Sequence, residues 1–73
     1  MSPKRLARSA RQIIAALIRH GFVLLRQTGS HKIFGHPGRP ELRVTVTDHG
    51  TRDLKPGTLK KILDQAKLTA DDV

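Results

Sequence analysis

His31-Lys32-Ile33-Phe34-Gly35-His36, Pro37-Gly38-Arg39-Pro40, then Leu42-Arg43-Val44-Thr45-Val46-Thr47 is the stretch on which the fold turns. The last six residues alternate apolar and polar, the mark of a strand with one covered face. Leu42, Val44 and Val46 therefore point to a core, and Arg43, Thr45 and Thr47 point away from it. Four residues rich in Pro and Gly break the chain between the two runs, which makes an antiparallel hairpin. In the first run Ile33 and Phe34 are both apolar and point opposite ways; Phe34, the larger, is assigned to the core. A five-residue loop from Pro37 to Glu41 then pairs His36 with Leu42 and Phe34 with Val44. The same count sets His31 opposite Thr47 on the outer face, with His49 just beyond. A one-residue slip would reverse every side chain of the first strand and bury His31.

Working outward, Thr28-Gly29-Ser30 is a turn, and Phe22 to Gln27 is a short apolar strand before it. Ser9-Ala10-Arg11-Gln12 has the spacing of a capping box. Ile13, Ile14, Leu17 and Ile18 follow at helical spacing, and Gly21 stops the run, which predicts a helix over 10–20. After the loop from Asp48 to Pro56, Leu59, Ile62, Leu63 and Ala66 form the apolar stripe of a second helix. Thr69-Ala70-Asp71-Asp72 caps a final turn. The order is α-β-β-β-α: an α+β domain in two layers, with a three-stranded antiparallel sheet and both helices on one face. Residues 1–8 are expected to form a basic arm and residues 9–73 a single domain.

The chain has 73 residues, and a domain of that size buries only about 60% of the surface its unfolded form exposes. No cysteine is present, which removes disulfides, thiolate metal sites and cysteine nucleophiles together. No apolar run approaches the roughly 20 residues of a membrane span, and the basic start leads into an amphipathic stretch rather than a signal core. A soluble, cytoplasmic protein without a membrane partner is the expectation.

Charge is polarised along the chain. Fourteen Lys and Arg against six Asp and Glu give +8, and residues 1–40 hold eight of the basic residues and no acid before Glu41. Such a surface suits RNA or an acidic protein. With Phe22 and Phe34 as the only aromatics and no Tyr or Trp, base-stacking platforms are improbable. Helix two offers lysines but few side chains suited to base edges, which disfavours DNA readout.

Among candidate chemistries, an exposed imidazole beside cations suits RNA cleavage. An ordinary histidine titrates near pH 6.5 and accepts the proton of a ribose 2′-OH at neutral pH. Ser30 and His31 are neighbours on opposite strand faces, which argues against a hydrolase triad with Asp48. His31 and His36 differ by an odd number, which argues against a zinc site. Lys55-Pro56-Gly57-Thr58 lacks the glycine-rich stretch and preceding strand of a phosphate loop.

Gly21-Phe22, Arg26, Gly29-Ser30-His31, Phe34 and Pro37 resemble the core signature of the HicA family, the toxin halves of toxin–antitoxin pairs. Val46-Thr47-Asp48-His49, Leu54 to Leu59, Ile62-Leu63 and Gln65-Ala66 are similar to its C-terminal half. The resemblance implies a double-stranded-RNA-binding-like fold and a small endoribonuclease, an mRNA interferase that arrests translation until a HicB-type antitoxin blocks it. It also implies that His31, in Gly-Ser-His, is the catalytic histidine. Two positions depart from the pattern: Thr47 where the family often has Pro, and Lys67 where it often has Gly. Both readings together predict a metal-independent reaction with no cofactor. His31 is its general base and His49 the weaker candidate for general acid. Arg26, Gly29, Ser30 and Lys32 position or neutralise phosphate. The alternative is a non-catalytic module that binds duplex RNA by shape.

Overall fold

The computed structural model describes residues 7–73. Its elements run α1 (Ala10–Arg19), β1 (Val23–Thr28), β2 (His31–His36), β3 (Arg39–Thr47), α2 (Pro56–Ala66) and one 3-10 turn (Ala70–Asp72). The strands form a single antiparallel sheet in the order β1-β2-β3. Ile13 and Leu17 of α1 and Leu59, Ile62 and Ala66 of α2 share one buried cluster with Phe34, Val44 and Val46. Both helices thus cover one face of the sheet, and the α+β class and the α-β-β-β-α order stand as read.

The ends of α1 follow from its sequence. The Gln12 amide donates to Ser9 Oγ at 3.2 Å, and the Ser9 amide donates to Gln12 Oε1 at 2.8 Å, which closes the capping box. At the other end Gly21 turns left-handed at φ +91. Its amide reaches the Ile18 carbonyl at 3.0 Å and the Phe22 amide reaches that of Leu17 at 2.9 Å. This is a Schellman motif, and it delivers Phe22 into the core. The basic arm assigned to residues 1–8 lies outside the described residues except for Ala7 and Arg8. Arg8 is tied at both ends: its carbonyl accepts from the Leu54 amide at 2.8 Å, and its guanidinium donates to the Val73 carbonyl at 3.1 Å.

Phe34 pairs with Val44 and His31 with Thr47, as the alternation predicts, and Phe34 is buried. The expected pairing of His36 with Leu42 is corrected: His36 pairs with Arg39, and β3 begins at Arg39. The chain reverses at Pro37-Gly38, and an irregularity in β3 between Arg39 and Arg43 absorbs the extra residues. Side chains make this possible. His36 Nδ1 accepts from the Gly38 amide at 3.1 Å, so its Nε2 carries the proton and donates to the His20 carbonyl at 2.9 Å. Arg43 Nη1 donates to the Pro40 and Leu42 carbonyls, each at 2.9 Å, and so satisfies the distorted segment. On the free margin of β3, the Thr45 amide donates to Gln65 Oε1 of α2 at 3.2 Å.

Candidate functional site

Thr28 pairs with His31, which leaves Gly29 and Ser30 as a two-residue hairpin loop. Gly29 has φ +59, the left-handed region that a tight hairpin demands at its first loop position. The loop is anchored by the Asp48 amide, which donates to the Ser30 carbonyl at 2.8 Å. His31 therefore begins β2 at a fixed place. Because Phe34 faces the core, the odd-numbered residues of β2 face the uncovered side, and the His31 side chain stands there exposed. No described residue hydrogen-bonds its ring.

Arg26 pairs with Ile33 and so shares this face, exposed and without an ion-pair partner among the described residues. Thr47, the partner of His31, also lines a groove of about 360 Å³ past the end of β3. His49, Arg52, Lys55 and Thr58 line it too, with Asp53 and Leu54. From strand geometry the Cα atoms of His31 and His49 are at most about 12 Å apart. Helix α2 opens beside the groove with Pro56 in its first turn, no capping side chain and no acid to offset its positive end. The site thus joins one unencumbered imidazole to a groove bearing Arg and Lys side chains and two hydroxyls.

Lys32 stands elsewhere. It pairs with buried Val46, on the helix-covered side, and its ammonium meets Asp48 Oδ2 at 2.9 Å. That bond, helped by the Gly50 amide on Oδ1 at 2.8 Å, holds the Asp48 carboxyl below its ordinary pKa. Lys32 and Asp48 clamp the segment leading to the groove rather than facing His31. Gly29 and Ser30 form the hairpin turn itself. Arg52, Lys55 and Thr58 were not read as site residues: Arg52 and Lys55 lie in a loop, which carries no periodicity, and Thr58 lies in the first turn of α2. The available signal was a pair of cations and a threonine around a Pro-opened helix. Among the described residues no three His, Asp or Glu are grouped so as to hold a metal ion, and no helix is long and apolar enough to cross a membrane.

Fold and site together define a small two-layer α+β protein that displays a histidine on its open sheet, beside a cationic groove. The family model of the HicA toxin of bacterial toxin-antitoxin systems matches residues 10–68, and the chain belongs to that toxin family. No curated protein matches the chain closely enough to count as a relative.

Proposed function

We propose that this toxin is a metal-independent endoribonuclease that cleaves mRNA in the cytoplasm and is silenced by an acidic, HicB-type antitoxin. The observation that carries the reading is the exposure of His31 on the uncovered sheet face, paired with a residue of the cationic groove. An imidazole with no hydrogen-bond partner among the described residues is available to take the 2′-OH proton. The 2′-oxygen then attacks the adjacent phosphorus, the bond to the 5′-oxygen breaks, and that oxygen takes up a proton, for which His49 is the candidate donor. The products are a 2′,3′-cyclic phosphate and a 5′-hydroxyl. Arg26 on the sheet and Arg52 and Lys55 in the groove neutralise phosphate charge as it builds on the oxygens.

The test is a labelled transcript incubated with wild type and His31→Ala, with and without chelator. Wild type cleaves in chelator and leaves cyclic phosphate ends. His31→Ala loses about 100-fold or more in rate, the scale of a general base. Its stability stays within about 0.5 kcal/mol of wild type because the ring is exposed. Cleavage that survives His31→Ala removes the mechanism, and binding without cleavage by wild type leaves only a duplex-RNA module.

A further inference from the structure

Beyond the groove that Thr47 shares with His49, the free margin of β3 borders a second recess. This trough, of about 380 Å³, lies between β3 and α2, lined by Thr45, Thr47, Thr58, Lys61 and Gln65 over buried Ile62. Thr47 and Thr58 line both recesses, so the two are continuous. Its volume falls in the range of clefts that hold small ligands, about 300–1,000 Å³. Among the described residues no carboxylate lines it, and its one charged side chain is Lys61.

The margin of β3 presents an ordered row of hydrogen-bonding groups there. The Asp48 amide donates inward to the Ser30 carbonyl at 2.8 Å, and the Thr45 amide donates outward to Gln65 Oε1 at 3.2 Å. In an antiparallel strand the N–H and C=O of one residue point the same way, and the direction alternates along the chain. The Thr45 carbonyl and the Thr47 amide therefore point outward as well. Gln65 is held in one orientation, because the Thr45 N–H needs its carbonyl oxygen. Its Nε2 has no acceptor among the described residues and keeps its protons to offer. The row thus runs donor, acceptor, donor: the Gln65 amide nitrogen, the Thr45 carbonyl, the Thr47 amide.

We propose that this trough is a base-recognition subsite for single-stranded RNA, which holds a base flanking the cut and selects the sequence that is cleaved. The proposal rests on the reading of His31 as the centre of a ribonuclease. Position supports it. His31 and Thr47 are directly opposed, with Cα atoms about 4.5–5.5 Å apart, and Thr45 lies about 7 Å further along β3. A strand with its 2′-hydroxyl at His31 brings a neighbouring base to the trough. Chemistry supports it too. Each base has its own order of donors and acceptors along its pairing edge. A fixed row of partners suits one order and leaves the others with unmet groups. Cations on phosphate position the strand without reading it, and that leaves Gln65 and the strand margin to read. Phe22 and Phe34 are buried, so base edges rather than stacked faces carry the recognition. A base inside a duplex has its pairing edge occupied, which confines the subsite to unpaired RNA.

The experiment maps the cuts that wild type makes in an unstructured transcript. It then measures kcat/KM on four oligoribonucleotides that differ only at a base flanking the cut. Gln65→Glu is the decisive variant: its carboxylate still accepts from the Thr45 amide, so the tie to β3 stays while both side-chain donors are lost. Wild type is expected to favour one base by about tenfold, and Gln65→Glu to bring the four rates within about twofold. Lys55→Gln is expected to slow all four alike, as loss of a phosphate contact does. Melting curves verify that both variants are folded. No base preference in wild type, or a preference that Gln65→Glu leaves in place, overturns the proposal. Undiminished cutting after a complementary strand is annealed across the site overturns it as well. Binding is read without cleavage, by selecting from a random pool of short RNAs the sequences held by His31→Ala, with and without Gln65→Glu. A wild type that cuts nothing, beside base-selective binding that depends on Gln65, sinks the nuclease reading and leaves the subsite standing. Cutting at all four bases alike does the reverse.

Discussion

Lys67 sits at φ 58, ψ 37, the left-handed region that L side chains enter at a cost. It occupies the same place after α2 that Gly21 occupies after α1. The Leu68 amide reaches the Leu63 carbonyl at 3.0 Å and the Lys67 amide that of Asp64 at 3.3 Å, a second Schellman motif. Glycine enters this geometry freely, and lysine is a strained substitute. Lys67→Gly is expected to stabilise the fold by about 0.5–1 kcal/mol, after allowance for the greater freedom of glycine in the unfolded chain. That gain is seen as a melting temperature higher by about 2–8 °C; a lower melting temperature contradicts it. At this scale the exposure of His31 was legible because parity could be counted from Phe34 and Val44. Lys32 was legible only in part. Its position one residue from His31 suggested a shared task, whereas strand geometry sends adjacent side chains to opposite faces and Asp48 claims the ammonium.

Among the elements, strand identity came from alternation and helix limits from the capping box and Gly21. Loop length had no such signal. The turn at Pro37-Gly38 and the irregularity before Arg43 depend on His36 meeting the His20 carbonyl and on Arg43 capping its neighbours' carbonyls. The first of these contacts joins residues far apart in sequence, so local patterning cannot announce it. The Lys32–Asp48 clamp is of the same kind, and it makes a pH prediction. The folded carboxyl titrates below its ordinary value, so the unfolded chain takes up the proton first. The clamp's contribution is complete above the ordinary Asp value of about 3.9 and disappears as pH falls through the folded value. Asp48→Asn is therefore expected to melt below wild type at neutral pH, with the gap closing as melts are taken down to about pH 2.5. A gap that stays constant or widens in acid contradicts the clamp.

For the whole molecule, the dominant property is charge, and its consequence for RNA is measurable. If Arg26, Arg52 and Lys55 each engage one phosphate, the logarithm of single-strand affinity falls against the logarithm of salt with a slope of about −2. Arg52→Gln combined with Lys55→Gln reduces the magnitude of that slope by about 1.4. Gel shifts in the His31→Ala background, where cleavage is expected to be lost, measure both slopes; equal slopes place the phosphates away from the groove. Composition raised the expectation of a polyanion but not the groove, because Arg52 and Lys55 meet Thr47 only when α2 docks beside β3.

Gln65 occupies the Thr45 amide on one margin of the sheet, while β1 lines the other with six exposed residues. Open-ended stacking of sheets into fibrils demands two sticky sides per subunit, one to receive and one to pass on the growing ladder. Here one side is stoppered by the protein's own glutamine. Whatever strand joins at β1 makes a finite pair and ends the addition.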